Sequence, residues 1–594
     1  MLNILPHPSR QSVLIRASSA HLRNFQRCLS VRKTQPFIWR RINLGNYAFR
    51  RVRLPRLSDG SATSASGNKS SAQHPSLNKP RRPSDPNSSV RASVTWLTRD
   101  PALVDLEKLR LELPRYCDNK SLVKLVVLLV TPSLASLIDP GAFFQHVLTS
   151  LYAGRRSFVW ENPIEKPIKC VTAVVDALPV PPETPSNSDG DSARAAISDG
   201  LALFMSSESF DARSVYAPSE LLDDAENKPT ATLKFCSTPE VSSSALASDQ
   251  GPPVRHVTLP AANTIFVNGQ RATLFQDLWR IRLTDSEEPS INYLGRKNLK
   301  SFQLNLQCPE DSFVNGGSAP LHILTKPRKV VRSMGNVLRQ IEVDGEGVPA
   351  SQELEKAVSA YIKANPASTA RSPLLVFALI RPPGTLSFEE GPDGNNDIHG
   401  SGSLKSLWHG AQLFKVSGGG GGWGKRQGLL SLEAAVGFET TEVAPSLAFP
   451  DFDNDQNVLH ELSSRGIVPT GSTVEFLVCS ADLTCKDTSR ASLSKPAPFL
   501  PTEDGTTVVL GTATDPDSQD GMLEGPNVTN AGVIFLPDYF GMVSYGGAAL
   551  GTNGSMSTRL KPSAISRTRC DVPNARFIIR GVGSVRQPRS KEKE

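Results

Sequence analysis

The segment Leu122–Val130 is apolar at nearly every position, interrupted only by Lys124, which is the pattern of a strand buried on both faces. A little further on, Phe144, Val147, Leu148 and Leu151 recur at helical spacing, so Phe143–Tyr152 is predicted as a helix. Leu103, Leu106, Leu109 and Leu113 repeat that spacing. Cys170–Val175, Leu201–Phe204 and Ala231–Cys236 are short apolar or β-branched runs and read as strands. Strands and helices alternate here, which predicts a layered α/β region over about 94–244.

Beyond that region the apolar period shortens to two. Val254–Leu259 and Thr264–Val267 read as short strands, with Asn268-Gly269 as a turn, and Ser301–Leu306 alternates Phe302, Leu304 and Leu306. Lys329–Arg332 and Val337–Val343 form two strands around the turn Met334-Gly335-Asn336, and Asp344-Gly345 ends the second. Pro349, Ala350 and Ser351 then open a helix with Leu354, Ala357, Val358 and Tyr361 on one face. Leu413–Val416, Val533–Leu536 and Phe577–Ile579 are further strand candidates, whereas Gly541–Gly554 reads as loop. Residues 254–580 make a second region and 581–594 a frayed, disordered tail. The fold class expected is α/β in the broad α+β sense: layered mixed sheets with flanking helices, behind a disordered N-terminal arm.

Composition narrows the class. At 594 residues the chain has room for several domains, and its 39% apolar content is enough for real cores. Eight cysteines are too few for a disulfide scaffold of this length. Nothing approaches the roughly 20 uninterrupted apolar residues of a spanning helix, so no transmembrane segment is expected.

Charge is concentrated at one end. Of the 65 Lys and Arg, twelve fall between Met1 and Arg56, where there is no acidic residue, and the remainder of the chain is mildly acidic. Ile15, Leu22, Phe25 and Leu29 share a helical face, with Arg16, Arg23 and Arg27 beside it. An acid-free, Arg- and Ser-containing amphipathic segment is the pattern of a mitochondrial transit peptide. Residues 1–29 are therefore expected to engage the import machinery and to direct the chain to the matrix. Residues 30–93 are basic, then rich in Ser and Pro, and read as a disordered linker.

The sharpest local feature is Ser417 followed by Gly418–Gly422 and Trp423-Gly424-Lys425-Arg426. Gly419 to Lys425 satisfies G-x-x-x-x-G-K, but Arg426 stands where a phosphate loop needs a hydroxyl, and Gly428 weakens a following helix. What remains is an anion nest of consecutive backbone N–H groups, with charge from Lys425 and Arg426 and a stacking surface on Trp423. Gly419, Gly421, Trp423, Gly424, Lys425 and Arg426 are the candidate ligand or anion site, and Arg332 and Asn336 join it as a second basic turn. A plain surface loop beside an anchoring Trp423 is the competing account.

Other chemistry is thin. The nine His form no H-x-x-x-H pair, Cys479 and Cys485 have no second pair at zinc spacing, and no G-x-S-x-G occurs. Asp451, Asp453 and Asp455 alternate, but Gln456 and Leu462 stand where a calcium loop needs Gly and Glu. Aromatics are only 6% and are not interleaved with basic residues in the body, which argues against nucleic acid. No catalytic residue, metal or cofactor is expected. The balance falls against an enzyme, with an atypical anion-cradle enzyme or a mitochondrial scaffold or gene-expression factor as alternatives.

The order of elements resembles a known family. The strands Leu122–Val130, Cys170–Val175 and Leu201–Phe204 come first. Strand, turn Gly335-Asn336, strand, Asp344-Gly345, small residues and helix follow, and Gly471–Val478 supplies a later strand. This resembles the FIST (F-box and intracellular signal transduction) sensory family, over about Val94 to Val543. The resemblance implies N- and C-terminal FIST-like subdomains, adjacent or intertwined. It also implies a sensory, signal-transducing role with a small ligand, an amino acid among the candidates.

Overall fold

A computed structural model of the chain describes residues 91–98, 100–101, 104–105, 109, 113, 123–138, 142–152, 167–181, 197–207, 212–216, 230–239, 254–262, 272–282, 290–308, 312–366, 374–383, 401–419, 428–433, 438, 468–480, 505–515, 533–553 and 566–583. All belong to one compact unit, Arg81–Glu594. The expected transit peptide, nearly all of the linker, the strand at Thr264–Val267 and the acidic loop at Asp451 lie outside the described residues.

Strand β1 (Arg91–Thr98) is followed by β2 (Leu125–Val130), helix α1 (Ala142–Tyr152), β3 (Ile168–Val174), β4 (Leu178–Pro179) and β5 (Ile197–Ser206). Next come β6 (Ala212–Tyr216), β7 (Thr232–Pro239), β8 (Val254–Pro260), β9 (Leu274–Arg282), the long β10 (Ser290–Cys308) and a single turn of helix, α2 (Ser312–Asn315). Short strands β11 (Gly317–Ser318) and β12 (His322–Ile323) lead to β13 (Arg328–Met334), β14 (Val337–Val343), β15 (Glu346–Pro349) and helix α3 (Ala350–Ala364). Then follow β16 (Leu374–Arg381), α4 (Ser401–Trp408), β17 (Gln412–Gly419), β18 (Leu430–Leu432) and β19 (Thr473–Ser480). The C-terminal part adds β20 (Thr506–Thr512), β21 (Val533–Pro537), β22 (Tyr539–Ser544), β23 (Ala548–Asn553), β24 (Ser566–Cys570) and β25 (Arg576–Val582).

These strands make three sheets. The first, of 13 strands, runs β21-β1-β5-β2-β3-β9-β10-β7-β8-β23-β24, with β4 on β5 and β6 on β10. The second runs β11-β25-β20-β22, and the third β12-β19-β13-β14-β18-β17-β16, with β15 on β14. Strand β1, near the start, pairs with β21, so the first sheet is shared between the two ends of the described chain. The chain passes from the first sheet to the second at Asp538, held at φ 54, between β21 and β22.

Burial explains the layers. In β2, Leu125, Val127 and Leu129 face one core while Val126, Leu128 and Val130 face another. That double burial is what the unbroken apolar run requires. The first core lies between the first sheet and the second, where Val508, Leu510, Phe540 and Phe577 meet it, and continues to Phe377, Leu379 and Leu477 of the third. The second core lies under α1, whose Phe143, Phe144, Val147, Leu148 and Leu151 cover Phe275 and Trp279. Each such side chain taken from water contributes about 1.5–3 kcal/mol. A third core, with Ala378, Ile380, Val474 and Phe476, is closed by Leu354 of α3. The order is helix, sheet, sheets, helix.

The fold class therefore needs a correction of balance. The described chain is α+β-like but mostly sheet, and only α1 joins neighbouring parallel strands, β2 and β3, as an α/β unit. From β8 onward most ladders are antiparallel, as in β7–β8, β13–β14 and β14–β15, although β10 runs parallel to β7 and β20 parallel to β22. The expectation of loop at Gly541–Gly554 fails. Most of that stretch is β22 and β23, because Phe540, Met542, Ala548 and Leu550 alternate into the first core while glycines fill the crowded positions between. Gly541 is one of these: an added Cβ would lie 2.0 Å from the carbonyl oxygen of Val509 on the neighbouring strand. The turn at Asp344-Gly345 also does more than end β14, for it folds β15 back onto it before α3 begins.

Candidate ligand site

The structure brings two of the sequence-selected pieces together. The hairpin β13–β14 turns at Gly335 (φ 58), and Asn336 reaches β18, the strand beside β14 in the sheet. Its Nδ2 donates to the Leu432 carbonyl at 2.8 Å, and the Leu432 N–H donates back to the Asn336 carbonyl at 2.9 Å. Strand β18 in turn pairs with β17, so Leu430 stands between Leu338 and Gly419. Asn336 is thus spent on holding the base of the glycine hairpin. Arg332 is exposed on β13, in register with Gln340. Gly421, Trp423, Gly424, Lys425 and Arg426 lie outside the described residues.

A second polar cluster, which the sequence reading missed, sits on the face of the first sheet that α1 covers. Three rows cross β3, β9 and β10: Thr172–Phe275–Asn298, Cys170–Asp277–Arg296 and Ile168–Trp279–Tyr293. Alternation along β9 puts Phe275, Asp277 and Trp279 on one face. On β10, Tyr293 and Arg296 are three residues apart and would face opposite ways in a regular strand. A register shift between Tyr293 and Gly295, with Gly295 at φ 142, inserts the extra residue that returns Arg296 to the face of Tyr293.

Asp277 is buried at 1% side-chain exposure, and Arg296 is at 15%. The pair is bidentate: Nε donates to Oδ1 at 2.7 Å and Nη2 to Oδ2 at 2.8 Å. The Tyr293 hydroxyl donates to Oδ1 at 3.3 Å. The Arg296 guanidinium lies 3.8 Å above the Phe275 ring, and the Trp279 and Tyr293 rings are 5.1 Å apart. Every oxygen of Asp277 is engaged. Its neighbours are not: Arg296 Nη1, Trp279 Nε1 and Thr172 Oγ1 are all buried with no hydrogen-bond partner among the described residues. Thr172 and Trp279 are 0% and 2% exposed. An unmatched buried polar group costs about 1–3 kcal/mol, and three of them lie on this one face.

The opposite face at the same strands behaves differently. There Gln276 accepts from Ser214 Oγ at 2.8 Å and donates to the Tyr216 hydroxyl at 3.3 Å.

Titration in the cluster speaks against thiol chemistry. Burial, with Asp277 beside it, pushes the Cys170 thiol well above 9.0. Burial likewise raises Cys308, Cys479 and Cys570, each to about 12. These thiols stay protonated at neutral pH and are poor nucleophiles. Burial and then Asp277 raise Tyr293, which keeps its proton to donate. Among the described residues no three His, Cys, Asp or Glu are grouped to hold a metal ion, and no helix is long and apolar enough to cross a membrane.

No protein-family model matches the chain, and neither a curated protein nor a solved structure matches it.

Proposed function

We propose that the protein is a non-catalytic small-ligand-binding or sensory protein, and that the face carrying Asp277, Arg296, Trp279 and Thr172 receives the ligand. One observation carries this reading: three buried polar atoms without partners among the described residues, Arg296 Nη1, Trp279 Nε1 and Thr172 Oγ1, lie on the face of a salt bridge whose carboxylate already accepts three hydrogen bonds. A ligand with hydrogen-bond acceptors would relieve them and bind against Phe275, Trp279 and Tyr293. Arg296 and Tyr293 form the rim, since they keep the most exposure of the group.

The wider reading is an imported mitochondrial matrix protein of FIST-like architecture, with N- and C-terminal parts adjacent or intertwined. The basic amphipathic N-terminus supports import, and the strand–turn–strand–Asp-Gly–helix order at Lys329–Tyr361 supports the FIST-like part. The glycine hairpin and Arg332 stay within the proposal as a second anion-binding element. The test is a thermal-unfolding screen of the full chain against small-molecule fractions from its own cells. At least one fraction should raise Tm saturably in the wild type and not in the double variant Thr172→Val/Trp279→Phe. If no fraction raises Tm, the ligand-binding reading fails. Intact-mass analysis of the cellular protein tests import: a start near Ser30 is expected, and an intact Met1 would contradict it.

A further inference from the structure

We propose that the outer edge of β10 over Ser290–Asn298 takes up one more strand from a partner, a short, extended, acidic peptide segment. The proposal concerns the edge of this strand and stands apart from the small-ligand reading of the face that carries Asp277.

The first argument is the open edge. Strand β10 is 19 residues long, and its neighbours divide it. Strand β7 pairs with Ser301–Cys308, β6 with Leu299–Leu304 and β9 with Ser290–Asn298. Along Ser290–Asn298, β9 is therefore the single strand partner among the described residues. In an antiparallel ladder, alternate residues turn their N–H and C=O away from the partner. The far edge of this stretch thus offers a row of backbone donors and acceptors to another chain. The register shift between Tyr293 and Gly295 interrupts the edge midway, which suits a short segment rather than a long strand.

The second argument is the surface beside that edge. Eight large apolar side chains are exposed among the described residues. Four of them, Val215, Tyr216, Tyr293 and Leu294, are between 42% and 52% exposed and belong to β6 and to this half of β10. Strand β6 meets β10 at Leu299, directly after the open stretch. Exposed apolar side chains next to unpaired backbone are what an added strand covers.

The third argument, charge, selects the partner. Strands β6 and β9 and the stretch Ser290–Lys300 carry Arg213, Arg280, Arg282, Arg296, Lys297 and Lys300 against Asp277 alone. Asp277 is already bound by Arg296. Among the described residues, Arg213, Arg280 and Lys297 make no ion pair, and Arg280 Nε is buried with no hydrogen-bond partner. Lys297 rests 5.2 Å from the Tyr216 ring centroid, on the same surface. A second copy of this chain would set the cationic strand against itself, and like charges across a ladder are destabilising. The same cations favour a strand with carboxylates. A nucleic acid would answer the charge but has no peptide groups with which to continue the ladder.

Fluorescence anisotropy with the full chain tests this, using a short labelled peptide of alternating Glu and Val. Its controls are the same peptide with Lys for Glu, a version with a central Pro, and labelled oligo(U). The acidic peptide should bind saturably below about 1 mM. The Lys peptide should bind about tenfold more weakly or worse, and the central Pro, which cannot donate to a ladder, should cost about as much. Lys297→Glu, at an exposed position, should keep the urea midpoint and weaken the acidic peptide about tenfold. Amide hydrogen exchange locates the contact: alternate amides of Ser290–Asn298 should exchange fast in the free chain and slowly with the peptide bound. Equal binding of the Lys peptide, or indifference to Lys297→Glu, overturns the acidic partner. Undiminished binding of the Pro peptide overturns strand addition, and tighter binding of oligo(U) puts a nucleic acid in its place. Protection of all these amides in the free chain would mean that a segment of this chain already occupies the edge, and it overturns the proposal, as does the absence of saturable binding.

Discussion

Two regions of the molecule bury an arginine, and they use it differently. At the end of the second sheet, Arg576 Nη1 donates to the carbonyls of Thr512 at 2.7 Å and Ala575 at 3.0 Å. Gly511 leaves the space for it, since an added Cβ would lie 2.7 Å from Nη1. Burial pulls the Arg576 pKa down to about 10, with only Tyr539 acting the other way, so it remains a cation at neutral pH and serves as a strut between backbone segments. On the outer face of the first sheet, Arg296 is bound to a carboxylate, stacked on a ring, and left with one buried N–H over. The lesson lies in the remainder. Arg576 meets two backbone acceptors, whereas Arg296 keeps one buried N–H without a partner and the neighbouring Trp279 and Thr172 each add another unpartnered polar atom.

The largest effect expected from breaking this contrast is at Asp277. Asp277→Ala leaves the Arg296 guanidinium buried without its counter-charge, and should cost about 3–5 kcal/mol by urea denaturation. A loss under about 1 kcal/mol would mean that the pair behaves as an exposed one.

Gly511→Ala comes next. The new methyl meets Arg576 at 2.7 Å and 2.8 Å and the Ala575 carbonyl at 3.0 Å, so either the strut or the strand must shift. The expected cost is about 1–3 kcal/mol, measured as a fall in the urea midpoint. An unchanged midpoint would show Arg576 to be more adjustable than its two carbonyl bonds suggest.

Thr172→Val works in the opposite direction. Valine has nearly the shape of threonine and removes a buried hydroxyl that has no partner. The ligand-free protein should gain about 1 kcal/mol. A clear loss of stability would mean that the hydroxyl is satisfied in solution.

The smallest effect is a pH dependence just past the end of β3. Asp176 accepts from the Tyr545 N–H at 2.7 Å and from Ser544 Oγ at 3.2 Å, but burial outweighs these bonds and raises its pKa above 3.8. A raised carboxyl favours the folded state when protonated. Its contribution is full below pH 3.8 and is lost as pH rises through the folded value. Asp176→Asn should flatten that decline while keeping both bonds. Parallel urea titrations across this range in wild type and variant check it, and identical slopes would contradict it.

Parts of the fold were legible because one physical cause set them. The apolar run at Leu125–Val130 has a single outcome, burial on both faces, and α1 is found where its spacing put it. The hairpin at Gly335-Asn336 and the helix after Pro349 were readable from turn residues and periodicity. Strands β22 and β23 were not, because glycines demanded by neighbouring backbone look the same in a sequence as glycines of a loop. The site was harder still. Phe275-Gln-Asp-Leu-Trp279 carries a signal, a carboxylate at the middle of an otherwise apolar face. Its partner Arg296 reaches that face only through the register shift at Gly295, which breaks the period that a reader would follow. The glycine segment drew attention by composition, and what the structure describes of it is a hairpin base held by Asn336.

The most direct test of the central claim is native mass spectrometry of the full chain, isolated under non-denaturing conditions from its own organism beside its Thr172→Val/Trp279→Phe variant. The account predicts a small molecule retained non-covalently by the wild type and lost or greatly reduced in the variant. Equal retention by both would put the ligand elsewhere in the molecule, and a bare chain in both would contradict the claim that the unmatched donors around Arg296 are there to bind one.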